Sequence, residues 1–336
     1  MQDIIVITGQ TATGKTSLAL KLAQKHGGEI VNCDSRQIYK YMNVITGKDV
    51  GKTKFIEESK LNNFSIGFFP VLTKFNNFSA RFLPVFTNLW LYDIVKPDRY
   101  FSSFDFKQCA LYVINSLKSR GKTPIIIGGS YFYLKHLLYG VDTENIPPDW
   151  KLRIKLKDKS VDELQKILAK HSTQLISQLS QSERNNPQRL IRKIEILQSR
   201  AKRRYVQPLG LEIQTQGSKT NEKLLLTKKL SLENMQIKFF GLKFKNKDLL
   251  QRSVEKRVEE RLKHGAVAEV KKLLKMGYSE TDPGLKTIGY QQLMMYLKGA
   301  IDFDTAIQLW INKEVQYAKR QYTFMKTDKN IKWRKV

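Results

Sequence analysis

The chain opens on an unbroken apolar run, Ile4-Ile5-Val6-Ile7. A run of this kind is a strand buried on both faces, as inside a parallel sheet. Glu29-Ile30-Val31-Asn32-Cys33 and Pro124-Ile125-Ile126-Ile127 repeat the type, and residues 235–244 read as a further strand. Between these runs the period changes. Ser17-Leu18-Ala19-Leu20-Lys21-Leu22-Ala23, residues 104–119, and the segment through Tyr133, Leu134, Leu137 and Leu138 all have helical spacing. Strands alternating with helices predict a parallel sheet with helices on its faces. Residues 50–90 are aromatic-rich and show no period that assigns an element.

From about Val141 the pattern turns polar and helical through Arg204, and residues 205–235 read as a basic connector of low regularity. Leu250, Val254, Val258, Leu262, Val267, Val270 and Leu274 predict one long amphipathic helix. The rest is helical and ends in a basic stretch. The expected division is a core of residues 1–140 with 199–336, and a helical insertion at 141–198.

Charge narrows the partners. The 336 residues carry 59 Lys+Arg against 31 Asp+Glu, a net +28. Such an excess suits a polyanion, nucleic acid before membrane, although a lysine-rich proteome produces it too. Cys33 and Cys109 are too few for a disulfide framework and fit no zinc spacing. No apolar run reaches the roughly 18 residues of a membrane span, and the first strand leaves no room for a leader. A cytoplasmic protein without a membrane partner is expected.

The first strand ends in Gly9-Gln10-Thr11-Ala12-Thr13-Gly14-Lys15-Thr16, which fits G-x-x-x-x-G-K-T. Strand, glycine loop and helix start come in the order a phosphate loop needs. The glycines let backbone N–H groups turn toward phosphate oxygens, and the helix N-terminus adds positive potential. Lys15 supplies a full charge, and the Thr16 hydroxyl can hold Mg²⁺. The loop implies a bound polyphosphate and leaves kinase, nucleotide hydrolase and transferase open.

Three further features bear on that choice. Asp34-Ser35-Arg36-Gln37 follows the second strand, where ligands gather in such sheets. Asp34 there either caps the next turn or serves a ligand, as a magnesium donor or a proton acceptor. Gly128-Gly129-Ser130 is either a tight turn or a backbone that admits a ligand closely. Asn186-Pro187-Gln188-Arg189-Leu190-Ile191-Arg192-Lys193-Ile194-Glu195 and Tyr317-Ala318-Lys319-Arg320-Gln321 carry cations on helices. These are solvated faces or phosphate contacts with base stacking.

As an ordered set these motifs, with Thr46-Gly47-Lys48, Gly265 with Glu269-Val270, and Ile288-Gly289-Tyr290, resemble the tRNA dimethylallyltransferases over roughly residues 3–326. The resemblance implies a P-loop NTPase-like parallel α/β core with a helical insertion domain and a helical C-terminal region. It implies transfer of a dimethylallyl group from dimethylallyl diphosphate to the exocyclic amine of the adenosine 3′ of the anticodon. The alternatives are a small-molecule or nucleotide kinase, and a prenyltransferase of free adenine nucleotides. By the resemblance, Asp34, Ser130 and Lys15 are catalytic. Gly9, Thr11, Ala12, Thr13, Gly14, Lys15, Thr16 and Arg257 hold the diphosphate, and Thr16 holds Mg²⁺. Asp34, Ser35, Arg36, Gln37, Gln188, Arg189, Leu190, Ile191, Arg192, Tyr290, Lys319 and Arg320 meet the tRNA anticodon stem-loop. The enzyme is expected to act as a monomer.

The chain departs from the family pattern at Gln10 and Thr13, usually proline and serine, and at Ser130, usually threonine. Thr46-Gly47-Lys48-Asp49 stands for Thr-Ala-Lys-Pro, Leu89-Trp90-Leu91-Tyr92 for a His-His-Leu segment, and Phe324 for a tryptophan. These touch substrate detail more than reaction class.

Overall fold

The computed structural model describes residues 3–48, 53–61, 64–74, 84–141, 143, 146–205, 232 and 235–336. They fall into two units, one from residues 1–139 and 229–336, the other from 140–228.

The larger unit is built on the apolar runs. Strands β1 (Asp3–Gly9), β2 (Gly28–Asn32), β5 (Pro84–Trp90), β6 (Thr123–Ile127), β7 (Gln236–Lys243) and β8 (Lys332–Lys335) run parallel. Their order is β5-β2-β6-β1-β7-β8. Side chains alternate faces along a strand, so β1 feeds two cores at once. Ile4 and Val6 pack with α2 (Ser103–Ser119) through Phe106, Val113 and Ile114. Ile5 and Ile7 pack with α1 (Lys15–His26) through Ala19, Leu20 and Ala23. The parallel core matches the expected fold class.

Four strands were not foreseen, β5 and β8 among them. Residues 50–90 contribute β3 (Ile56–Leu61) and β4 (Phe64–Lys74), which extend the sheet antiparallel from β5. Ile66 enters one core, and Phe69 and Val71 the other. Both faces of β4 are therefore apolar, and the alternation that marks a half-buried strand is absent. The basic C-terminal stretch contains β8, an edge strand and not a helix.

The expected long helix is also two helices. They are α9 (Lys247–Lys263) and α10 (Ala266–Lys275), parted at Gly265, whose φ of 92° is open to glycine and strained for other residues. After them come α11 (Tyr290–Leu297) and α12 (Phe303–Met325). The connector at 205–235 lies almost wholly outside the described residues.

The larger unit also holds α3 (Tyr131–Tyr139). The smaller unit is helical: α4 (Trp150–Leu156), α5 (Val161–His171), α6 (Thr173–Gln178), α7 (Gln181–Arg184) and α8 (Pro187–Tyr205). Leu156, Leu164, Leu168, Leu179, Leu190, Ile191 and Ile194 form its core. Beside it lies a charged lock. The buried Glu195 carboxylate accepts from Arg153 at 2.9 and 2.8 Å, from Arg192, and from the Asp149 N–H at 2.5 Å. Burial pushes its pKa up, but the bonds from Arg153 and Arg192 outweigh this and hold it below the usual carboxylate range. Breaking such a buried pair leaves uncompensated cations. Glu195→Gln is therefore expected to destabilise this unit by about 3–5 kcal/mol, read by denaturant unfolding. A loss under about 0.5 kcal/mol, the scale of a surface change, contradicts the lock.

Candidate active site

The C-terminal ends of β1, β2, β5 and β6 carry the phosphate loop, Asp34, Leu91-Tyr92-Asp93 and Gly128-Gly129-Ser130. A cleft of about 500 Å³ lies among them, closed on another side by α9. Thr11, Ala12, Thr13, Gly14, Lys15 and Thr16 all line it.

The loop takes its shape from backbone that only certain residues tolerate. Gly9 has φ 133°, and a Cβ there would fall 2.1 Å from the Leu242 carbonyl oxygen. Gly14, with φ 77°, starts α1 and points its N-terminus at the cleft. Thr13 Oγ1 donates to the Gln10 carbonyl at 2.8 Å. Lys15 Nζ donates to the carbonyls of Gly9 at 3.2 Å and Gln10 at 2.6 Å. Desolvation and the Arg257 guanidinium pull the Lys15 ammonium down to about 7, against the attraction of Asp34.

Arg257, on α9, reaches across and donates to Thr11 Oγ1. The sequence placed Arg257 at the diphosphate but gave no role to its neighbour one turn on. Arg261 lines the same cleft, is 7% exposed, and donates to Glu314 at 2.9 Å. Its Nε has no partner among the described residues. Burial and repulsion from Arg257 lower its pKa to about 10, opposed by Glu314. Lys15, Arg257 and Arg261 thus concentrate positive charge that an anion relieves. The i, i+4 spacing of Arg257 and Arg261 was the available signal.

Asp34 faces this cluster from the end of β2. Its Oδ1 accepts the Arg36 N–H at 2.9 Å, so the capping reading holds for one carboxylate oxygen while the group also lines the cleft. Gln37 Nε2 donates to the carbonyls of Thr46 at 3.1 Å and Gly47 at 2.9 Å, which shapes the opposite wall. That wall is pinned from behind. The Glu269 carboxylate accepts the N–H groups of Asn43, Val44 and Ile45 at 2.6, 2.7 and 3.2 Å. Lys48 is buried and bonded to Asp93, the Tyr39 carbonyl and Asn43. Burial lowers its pKa, and Asp93 counters that.

Several expected roles change. The Ser130 hydroxyl is bonded to Ser35, accepting its N–H at 2.8 Å and donating to its Oγ at 3.0 Å, so it braces the turn. Tyr290 is fully buried, with its hydroxyl on Glu269 at 2.5 Å, and presents nothing to RNA. Leu190 and Ile191 are core residues of the smaller unit. Arg192 is committed to Glu195 and to the carbonyls of Thr143 and Ile146. Arg36 is exposed with one bond to the Pro283 carbonyl at 3.4 Å, and Ser35 is half-buried. Gln188, Arg189, Lys319 and Arg320 are exposed.

The pattern has known relatives. A family model described as IPP transferase matches residues 87–328, and one described as isopentenyl transferase matches residues 2–56. The tRNA dimethylallyltransferase of Acetivibrio thermocellus is 30% identical over 334 residues, which cover 99% of this chain and 91% of that one. The solved tRNA delta(2)-isopentenylpyrophosphate transferase of Staphylococcus epidermidis is 27% identical with a TM-score of 0.58, covering 100% of this chain and 93% of its own. The full-length tRNA isopentenylpyrophosphate transferase of Bacillus halodurans shares the fold at 23% identity, with a TM-score of 0.60 and coverage of 100% and 90%. Among the described residues no helix is long and apolar enough to cross a membrane. With a match from the first strand onward, and another over most of the remaining length, the chain belongs to the IPP transferase family of tRNA dimethylallyltransferases.

Proposed function

We propose that this chain transfers a dimethylallyl group from dimethylallyl diphosphate to the exocyclic amine of the adenosine 3′ of the anticodon in tRNA, releasing diphosphate. The observation that carries the reading is the shared cleft: Lys15, Arg257 and Arg261 on one side, Asp34 on the other. The phosphate loop and the cations grip the diphosphate. They stabilise charge that grows on it as the allylic C–O bond breaks. The adenine amine is a poor nucleophile because its lone pair is delocalised into the ring. Asp34 takes its proton as the C–N bond forms, an effect of about 10²- to 10⁴-fold.

The target base leaves its stack to enter the cleft, and an anticodon loop lowers that cost. Ser35, Arg36 and Gln37 meet the RNA beside Asp34. Lys319 and Arg320 of the larger unit, and Gln188 and Arg189 of the smaller, take its phosphates and bases. The enzyme works in the cytoplasm as a monomer.

The Thr16 hydroxyl lines the cleft at the phosphate loop. Magnesium keeps several waters and takes phosphate oxygens beside few protein oxygens, so a single loop hydroxyl there fits it. When bound, the ion neutralises charge on the departing diphosphate.

Incubation of the purified chain with radiolabelled dimethylallyl diphosphate and bulk tRNA, beside an ATP control, tests the reaction. Label in the RNA is expected. ATP turnover without labelled RNA returns the loop to a kinase.

Lys15 adds a pH dependence. Its pKa of about 7 lies below the ordinary 10.5. Between these values the unfolded chain holds more protons, so stability rises with pH there, and burying Lys15 costs stability at lower pH. A bound diphosphate favours the charged ammonium. Binding near pH 8 is therefore expected to take up a proton, and affinity to fall as pH rises through 7. Calorimetry in buffers of different ionisation enthalpy measures the uptake. Lys15→Gln should reduce it, and an unchanged uptake in that variant contradicts the assignment.

A further inference from the structure

Gln321 follows the exposed Arg320 on α12, yet its side chain turns inward and is 7% exposed. Its Oε1 accepts the Thr11 N–H at 2.9 Å. Its Nε2 donates to the Gly129 carbonyl at 3.1 Å. One amide therefore joins the phosphate loop to the turn after β6. The fit is close, since a Cβ on Gly129 would lie 2.1 Å from Gln321 Nε2. From the turn the connection continues through the Ser130–Ser35 bonds of 2.8 and 3.0 Å to the residue after Asp34. Gln10 Nε2 adds a second tie from the loop to α12, donating to the Ala318 carbonyl at 3.3 Å.

We propose that Gln321 is a positioning residue: it sets the spacing between the cradle for the leaving diphosphate and the Asp34 side of the cleft, where the nucleophile is activated. The inference rests on the prenyl-transfer reading of that cleft. In that reaction the allylic C–O bond breaks and its electron pair passes to the diphosphate oxygen. The adenine nitrogen forms the new C–N bond and gives its proton to Asp34. A donor held too far from that nitrogen is captured by water, whose oxygen forms a C–O bond and whose proton goes to solvent, giving dimethylallyl alcohol. Spacing therefore governs the partition between RNA and water as well as the rate. A misplacement of about 1 Å costs about 10²-fold.

The role needs a donor and an acceptor on one side chain, which separates two variants. Gln321→Met keeps the length and loses both bonds. Gln321→Glu keeps the acceptor toward Thr11 and, when ionised, loses the donor toward Gly129. The full chain is assayed with labelled dimethylallyl diphosphate and tRNA for three quantities: single-turnover rate, KM for each substrate, and the ratio of alcohol to prenylated RNA. Gln321→Met is expected to lower the rate by about 10²-fold, with both KM values within about threefold, while the alcohol ratio rises at least about tenfold. Gln321→Glu is expected to fall between it and the wild type. The proposal is overturned by wild-type rates and partition in both variants. It is equally overturned by a loss confined to KM, or by a lower rate with an unchanged alcohol ratio and a lowered unfolding midpoint, which marks a structural role. Should Gln321→Met not fold, Gln321→Glu decides by the same criteria. A wild-type chain that transfers no label overturns the reaction itself, whereas wild-type transfer with unaltered variants overturns only the role of Gln321.

Discussion

Lys15→Ala is expected to lower prenyl transfer by about 10²- to 10³-fold and to leave tRNA affinity within about twofold, because its charge acts on the diphosphate. The loop should survive the change. Thr13 still bonds the Gln10 carbonyl, Arg257 still holds Thr11 Oγ1, and Gln321 still holds the Thr11 N–H. What is lost is the ammonium that meets charge developing on the departing group. Single-turnover kinetics and filter binding measure the two quantities separately. Lost RNA binding with an intact chemical step would reverse the assignment.

Asp34→Asn is expected to slow the chemical step by about 10²- to 10⁴-fold, the usual worth of a positioned general base. Asparagine retains an oxygen for the Arg36 N–H, so the turn that Asp34 holds at 2.9 Å should remain. It cannot accept the adenine proton. Rapid-quench measurement on preformed enzyme–substrate complexes isolates that step. An unchanged rate removes Asp34 as the base and leaves it only its turn.

Both residues were legible in the sequence because their signals are local. Gly9, Gly14, Lys15 and Thr16 sit within one strand–loop–helix, and Asp34 directly follows the next strand. Arg257 was reached only through the family resemblance, since its partner Thr11 lies 246 residues away. Arg261 and Glu269 carry no local mark of what they touch, and Glu269 earns its meaning from three amides more than 220 residues back. Such contacts exist only once the fold brings α9 against the phosphate loop and α12, and α10 against residues 43–45. Gln321 was visible as part of a motif, but its neighbours Lys319 and Arg320 are exposed while it is buried.

The misread residues have a different cause. Leu190, Ile191 and Ile194 are apolar at i, i+1 and i+4, a helix-core spacing that was available and was overridden by the cations between them. The family resemblance places Tyr290 on the tRNA, but the ring is interior and Glu269 satisfies its hydroxyl there. The strands of 56–90 hid because β4 is covered on both faces and so shows no alternation. Gly265 offered a break in the predicted long helix, and its positive φ shows why the helix stops there.

The most direct test is a crystal structure of the full chain with a non-hydrolysable dimethylallyl diphosphate analogue and an anticodon stem-loop. The account predicts the diphosphate on Lys15, Thr16 and Arg257, and the Asp34 carboxylate about 2.6–3.2 Å from the exocyclic nitrogen of an extruded adenine. A diphosphate bound away from the phosphate loop, or an adenine whose amine faces no carboxylate, would contradict it.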